Sequence, residues 1–296
     1  MELPLVVGVD GSEPSLRAVD WAADEATLHG RGLHLVYASK WERYEGLALA
    51  HGLGKPSERV FAENIVGSAT ERAHRRHPQL KITAETPVED AAAALLNAGR
   101  NASLLVTGSH GRSGVADLLL GSVSLTVAAR ADCPVVVLRG NQDDRVGAGM
   151  NRSIALGVAD PGEGDAAVRF AVREAAARGV SLWAVRAWRL PALEAGGHPL
   201  TAGDAARHHE RMAAARIEDA VREPAARHPG VTVHQQTGEG PARRVLLNAS
   251  ATVDLMVVGA MRRPGYFGLQ LGPVAHTLLH HSACPVAVVP ERATPP

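Results

Sequence analysis

The stretch SLLVTGSHGRSGVADLLLGSVSLTVAARADCPVVVL, residues 103–138, returns at residues 254–289 as DLMVVGAMRRPGYFGLQLGPVAHTLLHHSACPVAVV. Laid over each other without a gap at an offset of 151, the two match at 14 of 36 positions. Average composition would give roughly two or three matches. The shared positions include Gly108/Gly259, Gly114/Gly265, Gly121/Gly272, Cys133/Cys284 and Pro134/Pro285. The earlier parts correspond as well. VVGVDGSEPSLRAVDWA from Val6 and IALGVADPGEGDAAVRFA from Ile154 bring Gly8 over Gly157 and Trp21 over Phe170. The chain is a tandem repeat.

A length of 296 residues suits two such domains. The boundaries read as 1–140 for the first, 141–152 for a Gly-rich polar linker, and 153–296 for the second. In each copy, short β-branched runs alternate with longer Ala-rich segments of helical period. The first copy has strands near 5–10, 33–38, 80–85, 103–107 and 134–138, with helices near 14–29, 56–77, 87–100 and 122–131. The second repeats the strands near 153–159, 180–187, 231–237, 254–258 and 285–289, and carries a long charged helix at 205–226. Runs such as LLVT and VVVL are apolar throughout, as expected of strands covered by helices on both faces. The fold class is therefore α/β: two Rossmann-like domains, each a five-stranded parallel, doubly wound sheet flanked by helices. Ligands of such sheets lie at the carboxyl ends of the strands. Functional residues are expected after Val9, Tyr37 and Val106.

Composition narrows the function. Thirty-one basic residues balance 31 acidic ones, and aromatics make up 3%. Neither a nucleic-acid binder nor an acidic-membrane binder is expected from that balance. Two cysteines exclude a disulfide scaffold, and both read as small buried thiols. No apolar run approaches the ~20 residues of a membrane span. Residues 1–10 lack a basic segment followed by a long apolar one, so no signal peptide is expected and the protein reads as cytoplasmic. No Cys/His spacing suits a metal; His208-His209 and His280-His281 are adjacent pairs that diverge on a helix.

The chemistry concentrates in Gly108-Ser109-His110-Gly111, nine further residues, and Gly121-Ser122 at a helix start. Glycines let backbone N–H groups approach a polyanion, and a helix N-terminus adds unpaired N–H groups and a positive dipole end. The residues alone leave a second reading open, in which Ser122 is only a cap and the glycines only shape a turn.

This spacing, G-x2-G-x9-G-[ST], resembles the nucleotide-binding signature of the universal stress protein family, and Gly108, Gly111, Gly121 and Ser122 fit every position. VGVDGSEPS at the first strand end and CPVVVL at the last strand are similar to the family too. The likeness covers nearly the whole chain, as the tandem form familiar from actinobacteria. It implies ATP held in the first domain, with Mg2+ carried by the phosphates. Gly8, Asp10 and Ala38 would hold the adenosine. Thr107, Gly108 and Gly111 would line ribose and phosphates, with Arg112 beside them, and Gly121, Ser122 and Val123 would form the helix start. Asp10 by type and place also reads as a helix cap. The resemblance further implies a homodimer, and a pseudo-dimer of the two domains through their last strands.

The second copy departs from the pattern. Arg262 stands where the second glycine belongs, Gly272 is followed by Pro273, and Ala159 replaces the aspartate. Gly157, Val185, Gly259, Arg262, Gly272 and Val274 mark a degenerate site, with Val185 taken as the strand-two residue of the family. The leading function is nucleotide binding in stress response rather than fast catalysis. No Walker lysine is present. The alternatives are a nucleotide-independent interaction scaffold and, further off, a slow ATPase.

Overall fold

The computed structural model describes residues 2–38, 58–111, 120–139, 152–190, 199–262 and 271–292. The chain divides into two units, Met1–Leu138 and Arg139–Pro296. The N-terminal unit runs β1 (Leu5–Gly8), α1 (Glu13–Leu28), β2 (Leu33–Val36), α2 (Glu58–Arg76), β3 (Ile82–Glu85), α3 (Ala91–Gly99), β4 (Leu104–Thr107), α4 (Ser122–Arg130) and β5 (Val135–Val137). Its strand order is β3-β2-β1-β4-β5, all neighbours parallel. The winding reverses between β1 and β4, which opens a crevice at their carboxyl ends. β1 sits at the centre: Leu5 pairs with both Leu33 and Leu104, and Leu5, Val6 and Val7 are all buried. A strand covered on both faces needs such an uninterrupted apolar run.

Local chemistry sets the element ends. β1 stops at Gly8, two residues before the expected end, because Asp10 and Ser12 turn the chain into α1. The helix expected from residue 87 starts at Ala91 because the Asp90 carboxylate accepts from the N–H groups of Ala92 and Ala93 and caps it. Helix α1 buries Ala18, Trp21, Ala22 and Ala26, the three-to-four-residue stripe visible in the sequence. Arg72 on α2 donates to both carboxylate oxygens of Asp20 and ties α2 to α1.

The C-terminal unit repeats the plan: β6 (Ser153–Gly157), α5 (Asp165–Arg178), β7 (Ser181–Trp188), α6 (Pro199–Ala226), β8 (Val233–Glu239), α7 (Ala242–Ala249), β9 (Leu255–Arg262), α8 (Pro273–His281) and β10 (Val286–Arg292). Its order is β10-β9-β6-β7-β8, again parallel. Three elements outrun their expected lengths. Helix α6 begins at Pro199, where a proline at the start of a helix loses no intrahelical bond. β9 and β10 continue to Arg262 and Arg292, because they pair with each other from Met256/Val286 to that end. Among the described residues no helix is long and apolar enough to cross a membrane.

Candidate functional site: a crevice at the strand ends of the N-terminal unit

The crevice is a cavity of about 390 Å³ at the carboxyl ends of β1, β2 and β4. Gly8, Asp10, Ala38, Thr107, Gly108, Gly111, Gly121, Ser122 and Val123, drawn from four separate stretches of sequence, all line it. Arg112 lies outside the described residues. The lining also contains Val36, Tyr37, Ala91, Leu95, His110, Ser15 and Ser124, which sequence reasoning did not assign. The four-residue spacing of Ala91 and Leu95, one turn apart on α3, was the available signal for that wall.

Each of the loop glycines has its own reason. A Cβ on Gly108 would fall 2.7 Å from the carbonyl carbon and oxygen of Pro14, so the first turn of α1 packs directly on this residue. A Cβ on Gly111 would fall 2.4 Å from Asp10 Oδ2. The loop after β4 thus lies against the aspartate two residues beyond β1, about a hundred residues earlier. Gly121 differs. Its φ is −63°, and the nearest atom to an added Cβ, His110 Cα, would be at ordinary contact distance, 3.4 Å. The described residues leave room for a side chain there.

Hydrogen bonds hold the rim. Asp10 Oδ1 accepts from the Ser12 N–H at 3.0 Å and from the Ser12 hydroxyl at 2.6 Å. Ser12, rather than Asp10, is the N-cap of α1, so the cap expected of Asp10 is corrected: the carboxylate orients the capping serine. Ser15 Oγ donates to Ser12 O at 2.8 Å, and Ser124 Oγ donates to Gly108 O at 2.7 Å. The Gly121 N–H donates to Ser109 O at 2.7 Å, closing the loop at the base of α4. The Ser109 hydroxyl and His110 Nδ1 stand 3.0 Å apart. Helices α1 and α3 close their N-termini with side chains; α4, capped by Gly121, has no side-chain cap. Ser122, Val123 and Ser124 of its first turn line the cavity, and the first N–H groups of a helix have no intrahelical partner. Ser122 is accordingly the first helical residue and not the cap. One floor residue, Thr107, is 4% exposed, and its Oγ1 has no hydrogen-bond partner among the described residues.

The corresponding region of the C-terminal unit is built differently. β9 carries straight on through Gly259 to Arg262, each paired with β10, where β4 instead breaks into a loop at Gly108. A residue drawn into a strand presents its N–H groups to the neighbouring strand and not to a concavity. Gly272 caps α8 ahead of Pro273 and Val274, and the proline removes one N–H from the helix start. A Cβ on Gly157 would meet Leu246 at 2.9 Å, so that glycine serves packing. The loop after β6 is held by two arginines. Arg186 donates to Val158 O and Asp160 Oδ1, and Arg216 donates to the carbonyls of Ala159 and Asp160. Glu291, buried at the end of β10, accepts from the Ala167 N–H at 3.0 Å and covers the start of α5; burial pushes its carboxyl up. Strand register also corrects one equivalence. Gly157 pairs with Val185 as Gly8 pairs with Val36, so Val185 matches Val36, and the counterpart of Ala38 is Ala187.

Two duplicated, doubly wound α/β units, one with a glycine loop folded over its switch point, define a class of small-ligand-binding folds. The chain belongs to the universal stress protein family, whose model matches residues 3–139 and again 150–290. It is 28% identical over 299 residues to a universal stress protein of Mycolicibacterium smegmatis, covering 98% of each. It is 30% identical over 291 residues to one of Mycobacterium tuberculosis, covering 96% of each. Among solved structures it is similar to a universal stress protein from Archaeoglobus fulgidus, with TM-score 0.66, 16% identity, and 97% and 98% of the two chains covered. A structure of a universal stress protein in complex with cAMP covers 47% of this chain at 31% identity, with TM-score 0.35.

Proposed function

We propose that the N-terminal unit binds an adenine nucleotide, ATP in the first place, in the crevice between β1 and β4, and that the protein serves stress response through occupancy rather than fast turnover. The observation that carries this is the chemistry of the cavity lining. Val36, Ala38, Ala91 and Leu95 offer an apolar wall for a base. The uncapped N-terminus of α4 offers N–H groups and a positive dipole end for phosphates. At about 390 Å³ the cavity is within the size range of small-molecule sites. Gly121 keeps the helix start open where the described residues leave space for a side chain.

Asp10 is the carboxylate among the described lining residues, and its Oδ1 is engaged by Ser12. A Mg2+ ion would therefore enter on the phosphates rather than in a protein cage. The same engagement argues against Asp10 as a general base, which favours binding over hydrolysis. The C-terminal unit, with β9 extended and Pro273 at the helix start, is proposed not to bind nucleotide. A cytoplasmic homodimer completes the proposal, with sedimentation of the purified chain as its test.

Calorimetric titration with ATP and Mg2+, with cAMP as a second ligand, tests the assignment. One site per chain is expected, lost in Asp10→Ala and Gly121→Ala. Two sites would overturn the proposal for the C-terminal unit. No binding by the wild type would leave an interaction scaffold, and multiple turnover in a phosphate-release assay would make the protein an ATPase.

A further inference from the structure

Arg139, the first residue of the C-terminal unit, donates from its guanidinium to the carbonyl of His280 in the last turn of α8. That bond uses Nη2 and caps the helix, whose last carbonyls lack intrahelical donors. It leaves two buried nitrogens without a hydrogen-bond partner among the described residues, Arg139 Nε and His280 Nε2. Both belong to half-buried side chains. Buried polar groups are ordinarily hydrogen-bonded, and a buried charge is ordinarily paired.

The surroundings are of one sign. Burial holds the His280 imidazole below its ordinary pKa, and His276, His281 and Arg139 push it the same way. Burial also lowers Arg139, where a carboxylate at its side would raise it; a guanidinium keeps its charge all the same. His276, one turn earlier on α8, packs on His280 with ring centroids 4.5 Å apart, against 6.0 Å for His281. No carboxylate among the described residues acts on Arg139 or His280. The fold does not ask for the imidazoles, because Leu125 and Ala129 stand at the matching places of α4.

His276 and His280, four residues apart on one helix, have the spacing of a metal chelate. The guanidinium bonded to the His280 carbonyl repels a cation, however, and among the described residues no third ligand joins the pair. An anion meets the opposite conditions. We propose that Arg139 Nε and His280 Nε2 bind a tetrahedral oxyanion, sulfate-like or phosphoryl, with the imidazole protonated and His276 beside it. Such a group accepts from both donors and supplies the negative charge that the guanidinium lacks. The site belongs to the other unit from the crevice and does not depend on the nucleotide reading.

The test follows the His280 ring by NMR across pH, in sulfate and in chloride of equal ionic strength. Sulfate keeps its charge over this range, so a change of affinity with pH belongs to the protein. It is expected to move the His280 titration to higher pH. Calorimetry should find it bound severalfold more tightly at pH 6 than at pH 8. His280→Ala, which installs the residue of the matching position, and Arg139→Gln should lose that binding; His276→Leu should weaken it. Inorganic phosphate and phenyl phosphate then separate two sources. Binding of phosphate alone assigns a free anion, and binding of both assigns the phosphoryl group of a larger ligand. A His280 titration that is the same in sulfate and in chloride overturns the proposal without any variant. So does sulfate binding that survives in both His280→Ala and Arg139→Gln. A ring shift produced by Zn2+ and not by sulfate overturns it as well, and makes the two imidazoles a metal chelate.

Discussion

Replacing Gly108 by alanine should unfold the N-terminal unit more readily, while the same change at Gly121 should not. The added Cβ at position 108 lands 2.7 Å from the carbonyl carbon and oxygen of Pro14, about 0.7 Å inside ordinary contact. Those atoms are backbone, so no rotamer change relieves the clash; the start of α1 has to move. That start is held by the Ser12 cap, by Asp10 bonded to Ser12, and by Ser15 bonded back to Ser12 O. Farther along the helix, Arg72 grips Asp20. Overpacking of this kind costs about 1–3 kcal/mol, and contact with fixed backbone places it at about 2–3. For a unit of this size that is a fall of roughly 5–10 °C in melting temperature. At position 121 the nearest atom is at 3.4 Å and φ is −63°, so alanine fits. Its lower N-cap preference and its stiffening of the unfolded chain roughly cancel, leaving stability within about 0.5 kcal/mol of wild type. Differential scanning calorimetry of the whole chain reads both variants against wild type. Equal melting of the two variants, or a Gly121→Ala unit less stable than Gly108→Ala, would refute close approach to α1 as the reason for glycine at 108.

Two further predictions concern the C-terminal unit. Burial pushes the Cys284 thiol up to about 12, so it stays neutral and unreactive in the folded protein. Alkylation monitored by mass should be negligible at pH 8 until urea unfolds the unit, and rapid native labelling would contradict the burial. Glu291 has its folded pKa raised by burial above the ordinary carboxylate value. As pH rises from that ordinary value through the folded one, the unfolded chain gives up the proton first, so stability falls across this window. Glu291→Gln keeps an oxygen for the Ala167 N–H and should remove that fall, being at least as stable as wild type at pH 7 and indistinguishable from it below the ordinary range. Urea midpoints across pH decide it: a Gln variant weaker at pH 7 would show that the charged form is the stabilising one.

Much of the architecture is legible in the chain because its causes are local. The duplication follows from matching glycines, prolines and cysteines, and each strand and helix from the period of its apolar residues. Element ends were less legible. Asp90 moved a helix start by side-chain capping, and mutual pairing lengthened β9 and β10. The second of these matters for the site, since it turns the counterpart of the glycine loop into a strand. Arg262 in place of glycine was visible beforehand as a departure; that its backbone joins a ladder was not. The equivalence of Val185 also had to wait for register, because one or two residues of slip along a strand leave its composition unchanged.

The glycine signature marked a segment of chain that lines the crevice, and its spacing suggested a place for phosphates. Why each glycine is there was decided in three dimensions. Gly108 answers to Pro14 and Gly111 to Asp10, each about a hundred residues away, while Gly121 meets only ordinary contacts among the described residues. Thr107 looked like one more residue of a buried strand. Whether a strand hydroxyl finds a partner depends on atoms supplied by other elements, and here none of the described residues supplies one. Sequence determined the family, the two units and the loop, since these rest on residue type and spacing along the chain. Only the tertiary structure separated packing glycines from the one left open, and exposed the unpaired hydroxyl on the crevice floor, because contact and hydrogen-bond satisfaction arise between residues far apart in sequence.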